Sequence, residues 1–251
     1  MISPQTFEAL KQAAGVAGNI FAFGLFVSPI PTFRRIIRNQ STEQFSGMPY
    51  IYALLNCLIC AWYGCPFISS DNILVTTVNS VGAVFQLSYI LIYITCAEKR
   101  KKFQMSGLLL AVFCIFAVIA IGSMLVTDLE VRHLLIGFLS CATLISMFAS
   151  PLSVMNVVIH TRSVEFMPFY LSLSTFLMST SFLLYGVFNF DPFIYVSFFP
   201  QSKILTLIMF RLIFITVPNG IGTILGITQL ALYFYYHNKS KQESREPLIV
   251  A

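Results

Sequence analysis

The chain has 251 residues, of which 57% are hydrophobic and only 10% charged, with a net charge of +5 and a mean hydropathy of +0.81. A soluble domain carries about 25% charged residues, so a water-soluble globular fold is excluded and a membrane protein with short loops is expected. The basic residues fall in short clusters between apolar runs, the pattern of loops facing anionic lipid rather than of a nucleic-acid surface.

Charge-free runs of about 20 residues read as membrane spans. In chain order they lie roughly at 13–33, 49–68, 73–96, 104–126, 133–159, 168–188 and 217–236. Arg34, Arg35, Arg38, Lys99, Arg100, Lys101, Lys102, Arg162, Lys239, Lys241 and Arg245 fall on one side of these spans, and Lys11 and Arg132 on the other. That asymmetry places the N-terminus outside or in a lumen and the C-terminus in the cytosol. The odd number of spans agrees. Cys57, Cys60, Cys65, Cys96, Cys114 and Cys141 lie within or at the ends of apolar runs, with no metal-ligand spacing. His133 and His160 sit at span ends, where solvated histidines are ordinary.

An internal repeat organises the chain. Residues 28–64 and 150–186 both open on Ser-Pro, carry Ser-x-Glu and Met-Pro in the middle, and close on Tyr-Gly. Pro29 and Pro151 are 122 positions apart, as are Tyr63 and Tyr185, and the first copy has three extra residues around Phe45, Ser46 and Gly47. Three spans per half would leave directly joined halves inverted. The unpaired fourth span restores the orientation and makes the repeats parallel. The expected fold is therefore an all-α membrane protein of seven transmembrane helices, arranged 3+1+3. Its parts are a first three-helix repeat at 1–103, a linker helix at 104–130, a second repeat at 131–237 and a disordered cytosolic tail at 238–251.

One stretch breaks the repeat. Asp71 precedes Asn79 by eight positions, whereas Asp191 precedes Asn219 by 28. The surplus is bracketed as 196–216, because joining Tyr195 to Val217 restores DPFIYVPNGIG. It has no evident counterpart in the first half and carries Lys203 and Arg211, so it is expected at the outer surface or partly in the interface rather than as an added span. Being in frame and beginning with a valine, it reads as a retained intron of an alternative transcript.

The Ser-Pro-Leu run at 150–152, Thr-Arg-Ser-Val-Glu-Phe-Met-Pro-Phe at 161–169, the Tyr-Gly and Asp-Pro pairs after the sixth span and Val-Pro-Asn-Gly-Ile-Gly at 217–222 together resemble plant SWEET sugar transporters of the hexose-transporting type. The resemblance covers nearly the whole chain, apart from the insertion. It implies a sugar as cargo, a homo-oligomer in the bilayer and either the plasma membrane or the vacuolar membrane as location.

A sugar crossing hydrocarbon needs partners for its hydroxyls, since an unpaired polar group is costly there. Asn79 and Asn219 occupy equivalent places in the third and seventh spans, and an amide both donates and accepts. By resemblance they bind the sugar. Cys60 and Phe182, 122 apart, fall on family positions that wall it, and Phe182 can stack on a pyranose face. Leu25 and Met147 form a third pair, which by resemblance suggests a hexose-sized pocket. Pro29, Pro49, Pro151 and Pro168 match the four hinge prolines of the family, and Tyr63 with Asp191 matches an extracellular gate.

All ten acidic residues lie in loops, span ends or tails, so no proton relay is placed at mid-membrane. Facilitated diffusion is therefore expected, with no cofactor and no metal, and the resemblance implies a monosaccharide, glucose above others, as the cargo. The competing readings are a non-transporting splice isoform or regulatory subunit of the same family and a seven-helix receptor. The receptor leaves the repeat unexplained. An enzyme is not expected, since no nucleophile–base pair or metal cluster is visible.

Overall fold

The computed structural model describes residues 4–43, 45–68, 72–147, 149–164, 167, 169–188 and 202–243. They form α1 (Pro4–Val27), α2 (Ile30–Asn39), α3 (Met48–Gly64), α4 (Ile73–Cys96), α5 (Lys99–Leu125), α6 (Leu129–Ser146), α7 (Ala149–Thr161), α8 (Phe169–Phe188) and α9 (Ser202–Glu243). Among the described residues, α1 with α2, α4, α5, α6 with α7, α8 and α9 supply six stretches long and apolar enough to cross a membrane. The seventh, α3, is an apolar helix of 17 residues, the short end of what spans a bilayer.

The first and fifth spans are each described as two helices. α1 stops at Val27 and α2 starts at Ile30, with Pro29 at the junction. Proline has no N–H for the carbonyl four residues back, which here is Leu25. Ser28 takes over that role: its backbone N–H and its Oγ both donate to Leu25 O, at 3.3 and 2.8 Å. The next carbonyl, Phe26 O, receives the Tyr89 hydroxyl at 2.6 Å. In the second half α6 ends at Ser146 and α7 starts at Ala149, with Pro151 in its first turn. The lower segments end alike too, since Gln40 (φ 47°) and Arg162 (φ 53°) are both left-handed and again 122 positions apart.

Packing repeats in the same way. α4 lies against both α1 and α3, and α9 against both α6 and α8, so the third span of each half sits between the first two. The halves meet through α1 on α8 and α3 on α6, the same pairing read from either side. This is the 3+1+3 arrangement with parallel repeats.

The linker helix α5 docks on the first half. Trp62 Nε1 donates to Ser123 Oγ (3.0 Å), and Lys101 Nζ to Glu43 O (2.9 Å). The three extra residues of the first copy explain the second contact. They carry the α2–α3 turn onto α4 and α5, where Tyr93 donates to Phe45 O (2.9 Å) and Met105 abuts Gly47. A bidentate pair from Arg35 to Glu43 (2.6 Å at the shorter contact) closes the turn.

Three of the sequence expectations are corrected. Residues 202–216 are not separate from the last span, because α9 runs unbroken from Ser202 to Glu243, about 63 Å at helical rise, and residues 196–201 lie outside the described residues. Phe214 and Ile215 are buried in the core, 4% and 6% exposed. They do have counterparts in the first half. Phe214 packs against Gly137 as Leu74 packs against Gly15, and Asn219 bonds Ile215 O as Asn79 bonds Val75 O. The helix also continues past 237, so the expected tail is helical as far as Glu243. Finally, His133 is not solvated: it is fully buried, 5.0 Å from the Tyr63 ring.

Candidate functional site

Two ends of the bundle must be distinguished. The basic end carries α2, the α4–α5 turn and the end of α7. At the far end lie the start of α1, the end of α3 and the start of α6. Near the far end one core draws on both halves, with Tyr63, Ile136, Tyr185, Phe214 and Ile215 buried together. Toward the basic end the cores are separate. One gathers Phe33, Ile36, Leu54, Tyr89 and Met105 from the first half and the linker, and the other gathers Met155, Val158 and Met167. The halves are thus joined at one end and independently packed at the other.

Between them lies a cavity of about 260 Å³, just below the ~300–1,000 Å³ of drug-sized pockets and suited to a small solute. α4 supplies Asn79 to its wall and α9 supplies Asn219. Each amide is held by its own helix, with Asn79 Nδ2 donating to Val75 O (2.9 Å) and Asn219 Nδ2 to Ile215 O (2.8 Å). An amide carries two donor hydrogens and a carbonyl acceptor, so that bond fixes the group and leaves hydrogen-bonding capacity for a ligand. Leu25, Met147 and Phe182 line the same cavity, and Tyr63 lies at its far end. The wall is mainly apolar, with a few placed polar groups, as in small-molecule sites generally.

The remaining sequence-read residues fall elsewhere. Cys60 is buried one turn along α3 from the wall residues Asn56 and Cys57, and its Sγ donates to Asn56 Oδ1 (3.6 Å). The carbonyl of that amide is therefore already engaged. Pro29 marks the α1–α2 break, and Pro151 lies in the first turn of α7. Pro49 is the second residue of α3, where proline begins a helix without bending it. Pro168 and Asp191 lie outside the described residues.

Several wall residues were not singled out from sequence: Asn56, Gln86, Ser140, Phe214 and Ile215. Helical spacing held the signal for two of them. Gln86 is seven residues, two turns, beyond Asn79, and Asn56 is one turn before Cys60. Phe214 and Ile215 lie inside the stretch bracketed as surplus, which hid their spacing from Asn219, the same as that of Leu74 and Val75 from Asn79.

Comparison with known proteins bears on this site. The family model described as "Sugar efflux transporter for intercellular exchange" matches residues 12–101 and 134–213. The chain is 62% identical over 242 residues to the bidirectional sugar transporter SWEET2 of Arabidopsis thaliana, covering 96% of this chain and 94% of that one. It is 55% identical to the bidirectional sugar transporter SWEET2a of Sorghum bicolor, over 94% of this chain and 89% of that one. Among solved structures, that of a eukaryotic SWEET transporter at 3.7 Å resolution superposes with a TM-score of 0.82 at 50% identity. It covers 92% of this chain and 99% of that one. Two parallel three-helix halves around a paired-asparagine cavity, together with these likenesses, place the chain in the SWEET family of sugar transporters.

Proposed function

We propose that the chain is a facilitative, bidirectional uniporter that carries a monosaccharide, glucose above others, down its gradient by alternating access. The observation that carries this reading is the pair Asn79 and Asn219, one amide from each half facing a single cavity between the halves. A pyranose set between them has its hydroxyls paired on two sides while Phe182 covers an apolar face. Leu25 and Met147 limit the cavity toward the basic end. Cys60 acts through Asn56, which it holds by its hydrogen bond.

The basic end is the cytosolic one, and the N-terminus is extracellular or luminal. With a shared core at the far end and separate cores at the basic end, the conformation is inward-facing. Tyr63, with Asp191 as its expected partner, closes the outer path. Rocking of the halves then bends the chain near Pro29, at the α1–α2 break, and near Pro151, in the first turn of α7, with Pro49 and Pro168 as the other two hinge positions. No ionisable group is needed in the cavity, so transport follows the sugar gradient alone. The protein resides in the plasma membrane or the vacuolar membrane and associates with further copies of itself.

The test is uptake of labelled glucose and sucrose by yeast lacking its own sugar transporters, with abundance at the membrane matched across variants. Saturable glucose uptake that is unchanged by a protonophore and lost in the Asn79→Ala, Asn219→Ala double variant is the expected result. Glucose uptake that collapses with the proton gradient would sink the uniporter reading. No sugar movement at all would favour a regulatory or non-transporting isoform.

A further inference from the structure

The cavity is not symmetric, although the halves are. α4 faces it with Asn79 and, two turns closer to the basic end, with Gln86. Gln86 is 9% exposed, and its Oε1 is buried with no hydrogen-bond partner among the described residues. Buried side-chain amides are normally partnered, and an exception calls for something that completes it. The neighbouring lining from the ends of α1 and α6, Leu25, Phe26, Leu144 and Met147, offers no hydrogen-bonding side chain.

The second half cannot supply the mirror-image group. Asn79 and Asn219 differ by 140 positions, so the counterpart of Gln86 is Gly226. A Cβ at Gly226 would lie 2.8 Å from Phe176 Cβ and 2.9 Å from its Cα, so α9 is pressed onto α8 where α4 presents an amide. The same bias recurs between α3 and α8. Asn56 lines the cavity, and its counterpart 122 positions on, Met178, lines it from the other half. At these two matched positions the first half places an amide where the second half places none.

We propose that Gln86 contacts the substrate and determines specificity, pairing its amide with one hydroxyl of the sugar on the first-half side of the cavity. The proposal rests on a sugar being the cargo. It means that the two asparagines recognise the sugar from both halves, whereas Gln86 decides which edge turns toward α4. The apolar face then lies toward Phe182 and Met178. Because Gln86 is nearer the basic end, a sugar entering from that side meets it before reaching the asparagines.

The experiment is equilibrium binding of glucose and of each monodeoxyglucose to the full-length chain in detergent, for the natural chain, Gln86→Leu and Gln86→Met. Loss of one hydrogen bond corresponds to roughly tenfold weaker binding. Both variants are expected to bind glucose about tenfold more weakly, yet to match the natural chain for the one deoxy analogue that lacks the paired hydroxyl. Both should melt no lower than the natural chain, since they remove an unsatisfied buried amide. Equal losses across all analogues, as a packing role would give, overturn the proposal, and so does unchanged glucose binding in both variants. If the natural chain binds none of the sugars, the transporter reading itself falls and takes this one with it.

Discussion

Phe214 of α9 meets Tyr63 of α3 edge-on, with ring centroids 6.2 Å apart and ring planes at 86°. The contact joins α9 to the first half of the molecule, within the core that both halves share near the far end. Phe214 also stands 4.9 Å from the Phe138 ring and lies flush against Gly137. Gly137 has no side chain because the Phe214 ring occupies the space a Cβ would need.

Gly137→Ala should therefore destabilise the protein by about 1–3 kcal/mol through overpacking. Phe214→Ala should cost on the order of 3 kcal/mol through the cavity it leaves. Combined, the two should cost less than the sum of the single changes, because the ring that clashes is gone. Thermal unfolding of the four proteins in one detergent measures the coupling, and strict additivity would refute the contact.

Removing 196–216 should leave transport at least as fast as in the full chain. In the shortened sequence Phe193 and Ile194 take the register of Phe214 and Ile215 relative to Asn219, so the same residue types meet Gly137 and line the cavity. Uptake at matched surface abundance tests this. A shortened chain that reaches the membrane but carries no sugar would mean that the length of α9 beyond the bilayer is itself required.

Asn79→Ala and Asn219→Ala should each weaken apparent sugar affinity by roughly ten- to a hundredfold, the range for one or two hydrogen bonds to a buried partner. Neither should unfold the protein, since the bond lost in each case runs to a carbonyl of its own helix. Concentration dependence of uptake, set beside melting curves, separates the effects. A variant with full affinity but lower melting temperature would assign that asparagine to helix packing alone.

The α2–α3 turn should respond to acid. Hydrogen bonds from Arg35 and then from Asn39 hold the Glu43 carboxyl below its ordinary pKa. A depressed carboxylate contributes stability above its unfolded pKa and loses it as pH falls through the folded one. The melting temperature should therefore drop at the acid end of the carboxylate range, and Glu43→Gln should flatten that part of the curve. The pair is exposed, so the effect should be small and weaken in high salt. An unchanged acid limb in the variant would show that Glu43 contributes nothing there.

Much of the architecture was legible in the chain. The spans follow from apolar length, because hydrocarbon demands helices that satisfy their own backbone. The parallel repeat follows from matched Ser-Pro, Met-Pro and Tyr-Gly pairs with one span left over. Asn79, Asn219, Leu25, Met147 and Phe182 reach a common cavity because the repeat carries their spacing into space.

Other features were decided only when the helices packed. Cys60 sits at a matched position, yet it faces Asn56 rather than the cavity, since the rotation of α3 is set by its contacts with α4 and α6. His133 reads as a solvated span end but is buried, because Tyr63 and the far-end core close over it. The surplus before Asn219 looks like an appendage in one dimension. Helical continuity brings its last residues into the site, since a helix extends wherever its backbone bonds can continue. Phe214 and Ile215 are then carried into the places that Leu74 and Val75 hold in the first half. Apolar length and repeat spacing are properties of the chain and determine topology. Which face of each helix turns inward is settled by neighbours distant in sequence, and only the tertiary structure contains them.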